Sequence, residues 1–275
     1  TRSVEGFKAR RSPHFSYKKN CPLNNAPKLW LDHLPTPDNT AHKYSRGCVT
    51  IYSAPEMTGA SNLAAQSCAR IGAGLVNVLS TKHNANLYKS ILPPHIIVRD
   101  NMNWFDERIT ARLYGSGGLG TDINFTKNIP TILDADALQK NILGHLNEHY
   151  ILTPHDGEFR RLFPTIDLSN RKVAAREAAQ QSGAYIVLKG AKTIIAAPND
   201  AHIVTNDHAS PYLASAGTGD VLAGMITGLC AQGMPPFYAA CAAVWIHGEA
   251  GKRIGAGLVA SDIPDKTPEI LKSLS

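Results

Sequence analysis

No Cys-x-x-Cys pair occurs in this 275-residue chain, and its five cysteines, Cys21, Cys48, Cys68, Cys230 and Cys241, are odd in number. That usage argues against a structural disulfide set or a zinc site, and for a reducing, cytoplasmic setting. No uninterrupted apolar run reaches the ~18 residues that a membrane-spanning helix needs, so no membrane partner is expected. The first twenty residues lack the apolar centre of a secretory signal. Neither an internal repeat nor a low-complexity segment is present.

What is present is a 43% hydrophobic content, enough to bury the core of one large α/β domain or of two small ones. The formal charge of +6 arises almost wholly at the amino terminus, where Arg2, Lys8, Arg10, Arg11, Lys18 and Lys19 face only Glu5. The remainder is nearly neutral and gives little support to a nucleic-acid-binding face. Residues 1–26 therefore read as a basic tail or linker, and 27–275 as the domain. An organelle-targeting remnant is the other reading of the Arg-rich, acid-poor tail. Because the chain opens on Thr1 and not Met, a removed upstream segment is expected.

The stretch CVTIYS reads as a strand, TGASNLAAQSCARIGAG as a helix with Leu63, Ala64, Cys68 and Ile71 on one face, and LVNVLS as a strand. This is a βαβ unit. Further strands are expected near residues 96–98, 109–113, 132–133, 151–153 and 186–188, with a helix in NRKVAAREAAQQSG that closes at Gly183. The alternation predicts an α/β fold with a mostly parallel central sheet covered by helices, and ligands at the carboxyl ends of its strands. TIIAAPNDAHIVT carries a Pro-Asn-Asp turn between two alternating runs and predicts a small antiparallel hairpin. Two helices follow, GDVLAGMITGLCAQG, whose Gly224 and Gly228 permit close approach, and PPFYAACAAVWIHGEAGKRI, opened by Pro236.

GSGGLG, residues 115–120, has the G-x-G-x-x-G spacing that cradles a dinucleotide pyrophosphate in Rossmann folds, and ILDAD ahead offers Asp134 or Asp136 as a ribose-binding carboxylate. That fingerprint also needs a helix opening on its third glycine. TDINFTKNIP is short, contains β-branched residues and ends at Pro130, so a Rossmann oxidoreductase is the lesser expectation.

ASAGTGDVLAG concentrates the chemistry. Gly217, Thr218 and Gly219 run into a helix whose first turn holds Asp220, so an amide nest and a helix dipole meet one carboxylate. An anion site beside a base is what phosphoryl transfer to an alcohol requires. The plainer alternative is an ordinary helix start at which Asp220 favours the dipole. ILTPHDGEF places His155 and Glu158 three apart after a strand, where they either meet a ligand or serve as a surface imidazole and a capping group, with Thr153 as another cap. LKGAKT ends a strand with Lys189, Gly190 and Thr193, an ammonium, an amide and a hydroxyl suited to phosphate. TGA, Thr58 to Ala60, is a weaker anion candidate, and His247 reads as a packed histidine.

In chain order, TGASNLAAQSCARIGAGLV, GSGGLG, ILDADAL, LTPHDGEF, LKGAKT, AGTGDVLAG, WIHGEAG and ASDI resemble the ADP- or ATP-dependent NAD(P)H-hydrate dehydratases, a branch of the ribokinase-like superfamily. The resemblance spans about residues 27–273; G-T-G-D alone belongs to many kinases, while the ordered set is specific. It implies a ribokinase-like sheet covered on both faces, ADP or ATP as co-substrate, and hydrated NADH or NADPH as the small-molecule substrate. Carried over by residue, Ala60, Gly120, His155 and Asp220 would lie on the substrate side. Lys189, Gly190, Ala191, Lys192, Thr193, Gly217, Thr218 and Gly219 would hold the nucleotide. Asp220 is the implied base, and Glu158 the residue that orients Mg²⁺ through water. The family chemistry phosphorylates the C6 hydroxyl of the hydrate and then eliminates phosphate. A homo-oligomer is implied too, and some relatives carry an epimerase domain upstream. The family's G-P-G-L-G is GSGGLG here, and its T-P-H-P-G-E is TPHDGE, with Asp156 in place of proline. A ribokinase-like kinase of a small alcohol such as a vitamin precursor would share G-T-G-D, but its relatives resemble N-x-x-E where this chain has His155. A catalytically silent nucleotide sensor is the further alternative.

Overall fold

The structure, a computed structural model, describes residues 23–199 and 202–274. The basic stretch and Cys21 lie outside the described residues, as does Asp200 of the expected hairpin turn. Among the described residues one sheet contains β1 (Leu23–Asn24), β2 (Cys48–Tyr52), β3 (Leu75–Leu79), β4 (Ile97–Arg99), β5 (Ala111–Tyr114), β6 (Thr131–Leu133), β7 (Tyr150–Leu152), β8 (Tyr185–Leu188), β9 (Thr193–Ala196) and β10 (Ile203–Asn206). The order is β1-β10-β9-β8-β7-β6-β5-β2-β3-β4. Every pairing is parallel except those of β9 with β8 and β10, so the hairpin β9–β10 is the antiparallel insertion that the turn signal predicts. The inner strands β2, β5, β6 and β7 are buried along their whole length, as both faces of a parallel sheet must be.

The helices are α1 (Thr58–Arg70), α2 (Lys82–Ile91), α3 (Asp156–Leu162), α4 (Arg171–Ser182), α5 (Thr218–Ala231), α6 (Pro236–Ile254) and α7 (Asp262–Leu274). On one face α1, α5, α6 and α7 close a core around Ile51, Val78, Met225 and Ile246; on the other, α3 and α4 close a second around Leu133, Leu152, Phe159 and Ala178. Helix α5 is buried nearly all round, because α1 lies directly on it. A Cβ at Gly224 would stand 2.2 Å from the Ala64 carbonyl oxygen, an approach that only glycine allows.

Several boundaries differ from the sequence expectation. β5 starts at Ala111 and not 109, because Ile109 N–H closes a turn on Asp106 O (3.1 Å). Helix α1 stops at Arg70, and Gly72 then takes a positive φ of 118°. Two helices were not anticipated. Thr81 Oγ1 caps α2 by accepting from Asn84 N–H (3.3 Å), and α7 contains Pro264 and Pro268, residues that speak against a helix interior. The lead-in forms two 3₁₀ turns, Pro27–Leu29 and Leu31–His33, around the fully buried Trp30.

The path of the chain positions the site. From β2 it steps outward to β3 and β4, then returns to β5 on the other side of β2 and proceeds to β8. The direction reverses between β2 and β5, and in such sheets ligands bind in the crevice outside the strand ends at that point. The segments leaving those ends are 53–57 and 115–120, and α5 packs against β2, β5 and β6 beneath them.

Candidate active site

The loop after β5 folds back on itself: Gly118 N–H donates to Gly115 O (3.0 Å). Gly115 and Gly117 take φ of 98° and 78°, and a Cβ would stand 1.9 Å from Asp134 O at the first and 2.5 Å from the Ala60 Cβ at the second. At Gly117 this φ excludes proline. The loop is thus wedged between α1 and the end of β6. No helix follows it before Pro130, which overturns the Rossmann expectation, and Asp134, offered there as a ribose ligand, has other partners.

Asp134 is only 2% exposed, and its Oδ1 accepts from Lys189 Nζ (2.8 Å) and Thr153 Oγ1 (2.7 Å). These residues follow β6, β8 and β7, so adjacent strands deliver a carboxylate, an ammonium and a hydroxyl to one point at their carboxyl ends. Glu158 Oε2 lies 3.7 Å from the same Nζ. Burial opposes charge on Lys189, but Asp134, Glu158 and Asp220 outweigh it and hold its pKa above the usual lysine range. Thr153 is therefore the partner of Asp134 and not a helix cap.

Helix α5 begins after Gly217, which takes a left-handed φ of 87° and leaves the first amides of the helix without a side-chain cap. Asp220 sits in this turn. Burial raises its carboxyl to about 6, and Asp134 adds to the rise, whereas the Ser116 hydroxyl and Lys189 favour the charged form. That hydroxyl is buried and makes no close hydrogen bond of its own. Below the turn, His247 Nε2 lies 2.9 Å from Thr218 O. Burial lowers its pKa to about 4, so the ring is neutral and donates to that carbonyl.

His155 caps α3. Its Nδ1 accepts from Gly157 N–H (2.9 Å) and Glu158 N–H (3.2 Å), while Glu158 Oε2 accepts from His155 N–H (2.7 Å). The ring remains 60% exposed, with Nε2 3.4 Å from Glu158 Oε1. Arg171, at the start of α4, pairs with Asp156 and donates to Leu188 O (3.2 Å) and Lys189 O (2.9 Å). It passes over Gly190, where a Cβ would stand 2.7 Å from Nη2. Asp156 thus ties α3 to the lysine-bearing loop.

A cavity of about 600 Å³ opens beside Lys189. Lys189, Gly190, Ala191, Thr193, Thr218 and Gly219 line it, so six of the eight residues expected on the nucleotide side meet there. Its walls are apolar at Leu213, Leu222 and Val244, with Asn206 and His247 as polar points that sequence reasoning did not select. Lys192 is exposed and, like Gly217, does not line it. Ala60 and Gly120 lie across the crevice: Ala60 abuts Gly117, and a Cβ at Gly120 would stand 2.7 Å from Ser53 O.

Fold and site together define a ribokinase-like α/β protein. The fold is shared with a ribokinase-like superfamily protein of Enterococcus faecalis, at a TM-score of 0.80, 22% identity and coverage of 92% of this chain and 96% of that one. Residues 49–272 match the family model for NAD(P)H-hydrate dehydratase, and the chain belongs to that family. It is similar to the bifunctional NAD(P)H-hydrate repair enzyme of Gloeobacter violaceus, 34% identical over 239 residues that cover 79% of this chain and 47% of that protein. It is also similar to the ADP-dependent (S)-NAD(P)H-hydrate dehydratase of Neisseria meningitidis, 43% identical over 152 residues, 49% of this chain and 50% of that one. The solved ADP/ATP-dependent NAD(P)H-hydrate dehydratase of Bacillus subtilis, co-crystallised with ATP and Mg²⁺, has a TM-score of 0.82 at 30% identity and covers 94% of this chain and 100% of its own. The chain spans about half the length of the curated relatives it matches.

Proposed function

We propose that this chain dehydrates hydrated NADH or NADPH at the expense of a nucleoside phosphate, ADP or ATP, which occupies the cavity beside Lys189. The observation that carries this reading is Asp220: a carboxyl raised to about 6, one residue beyond the cavity-lining Gly219 and in the field of Lys189. A general base works best when its pKa lies near the operating pH. Asp220 takes the proton of the C6 hydroxyl as that oxygen bonds to the terminal phosphorus and the bond to the shortened nucleotide breaks. Phosphate then leaves C6 with the electrons of the C–O bond while the neighbouring carbon gives its proton to water, and the C–H electrons restore the ring double bond.

Lys189 and the first amides of α5 at Gly219 and Asp220 stabilise the charge of the transferring group. Gly190, Ala191 and Thr193 hold the nucleotide with Thr218, Lys192 adds charge at the rim, and Gly217 shapes the turn. Ala60, Gly120 and His155 border the hydrate. Among the described residues no three His, Cys, Asp or Glu side chains form a metal cage. Mg²⁺ is commonly held by substrate phosphates and water with one or two carboxylates nearby, and here Glu158 would orient it through water. Mg²⁺ would screen phosphate charge. We assign residues 27–275 to this domain, with 1–26 as its tail, and read the setting as cytoplasmic and the assembly as a homo-oligomer. An epimerase domain upstream of this one would be in keeping with the bifunctional relatives, about half of whose length this chain covers.

The test is recovery of reduced-nicotinamide absorbance from hydrated NADH with Mg²⁺ and either ADP or ATP. Recovery that requires nucleotide is expected, and the faster donor is the preferred one. No recovery with folded, nucleotide-bound protein overturns the reading and points to a small-alcohol kinase.

A further inference from the structure

The wall of the nucleotide cavity formed by Asn206, Ala209, Ser210 and Pro211 leaves the sheet at the end of β10. Among the described residues β1 is the strand that flanks it on its outer side, with Asn24 paired to Thr205 and Asn25 N–H donating to Thr205 O (2.8 Å). Asn25 is 4% exposed, and its side chain is fully engaged. Both Nδ2 hydrogens are used, on Asn206 Oδ1 (2.9 Å) and Cys241 O (2.7 Å), and Oδ1 accepts from Trp30 Nε1–H (3.2 Å).

Two routes run from here to the wall. In the first, Asn206 Nδ2 donates onward to His208 O (2.9 Å). In the second, the Trp30 ring packs on Trp245 (centroids 5.8 Å apart), which stacks on the His208 ring at 4.6 Å and 5°. Both end at His208, next to the cavity-lining Ala209. The ring is also held from α6, by Glu249 Oε2 and Lys252 Nζ at 2.8 Å each, so the hydrogen-bonded route governs chiefly the backbone.

We infer that residues 23–30 brace the nucleotide cavity and that Asn25 is its positioning residue, setting nucleotide affinity without touching the nucleotide. The inference rests on the assignment of the cavity to a nucleotide. The reason is preorganisation: a fully satisfied buried amide network holds the wall in one conformation, and ordering that wall at the moment of binding would cost affinity. Removing the Asn25 amide leaves Asn206 Oδ1 buried without this donor and Trp30 Nε1–H without this acceptor, while Cys241 O keeps its bond in the ladder of α6, and the wall relaxes to recover hydrogen bonds.

The experiment compares the full chain with Asn25→Leu, Trp30→Phe and, as a control at the opposite end of the sheet, Val78→Ala. ADP and ATP binding are titrated, kcat and nucleotide KM measured, and melting followed without nucleotide. For Asn25→Leu, Kd and nucleotide KM rise about tenfold while kcat at saturation stays within about twofold. Trp30→Phe keeps a ring in the stack but loses the donor to Asn25, so its loss is smaller, about threefold. Val78→Ala lowers melting without changing Kd. Wild-type protein that binds neither nucleotide overturns the cavity assignment and the brace with it. Wild-type binding with unchanged affinity in the Asn25 and Trp30 variants, or losses that merely track melting as in the control, overturns the brace alone. If Asn25→Leu does not fold, Trp30→Phe decides.

Discussion

At Asp220 the needs of folding and of chemistry oppose each other. The carboxyl titrates at about 6 in the folded chain, against an ordinary value of 3.8, chiefly because it is buried. Only the charged form can take a proton, so kcat/KM is expected to rise with pH through about 6 and then level off. His247 adds no step of its own near neutrality, since burial has already carried it to about 4. Asp220→Asn should cost at least ~10³-fold in turnover, with nucleotide binding retained by titration. The same shift has a stability consequence of definite sign. The folded state holds this proton more tightly than the unfolded chain, so wild-type stability falls as pH climbs from about 4 past 6. Asparagine has no such slope. Asp220→Asn is therefore expected to melt above wild type at pH 7–8, by about 1–3 kcal/mol in chemical denaturation; equal or lower stability there would contradict the assigned shift.

Among the elements, α3, α4 and β8 are joined by one guanidinium. Arg171 reaches Asp156, Leu188 O and Lys189 O from the start of α4, and its planar fork serves all three at once. Arg171→Ala should raise the nucleotide KM about tenfold or more, and Arg171→Lys should recover little of it, because a point charge cannot span those acceptors. Steady-state kinetics on the two variants check this. The acid at position 156 was visible as a departure from T-P-H-P-G-E, but its partner was not, since the two helices meet only once β7 and β8 are paired. The β9–β10 hairpin and the glycine turn before α5 were legible because alternation and backbone freedom act within a few residues. Helix α7 was not, because Pro264 and Pro268 argue against a helix interior, and packing against α1 and α6 overrides them.

For the whole molecule, the cavity beside Lys189 exists only in the folded chain, so a nucleotide that fills it must stabilise the fold. ADP or ATP with Mg²⁺ at about a hundred times Kd is expected to add about 2.7 kcal/mol, read as a rise in melting temperature that grows with nucleotide concentration. A concentration-independent melting temperature would remove the nucleotide from this cavity. The sequence by itself determined the alternation of strands and helices, the antiparallel hairpin and the nest ahead of Asp220, because those follow from side-chain period, turn chemistry and backbone freedom within a few residues. It also carried the ordered motifs by which the family was recognised. Only the tertiary structure decided that GSGGLG packs on Ala60 and the Asp134 backbone, that Asp134 neutralises Lys189, and that Asn25 reaches the cavity wall. Those partners are brought together by sheet order and burial, and charge in a low-dielectric interior acts through distance in space and not along the chain.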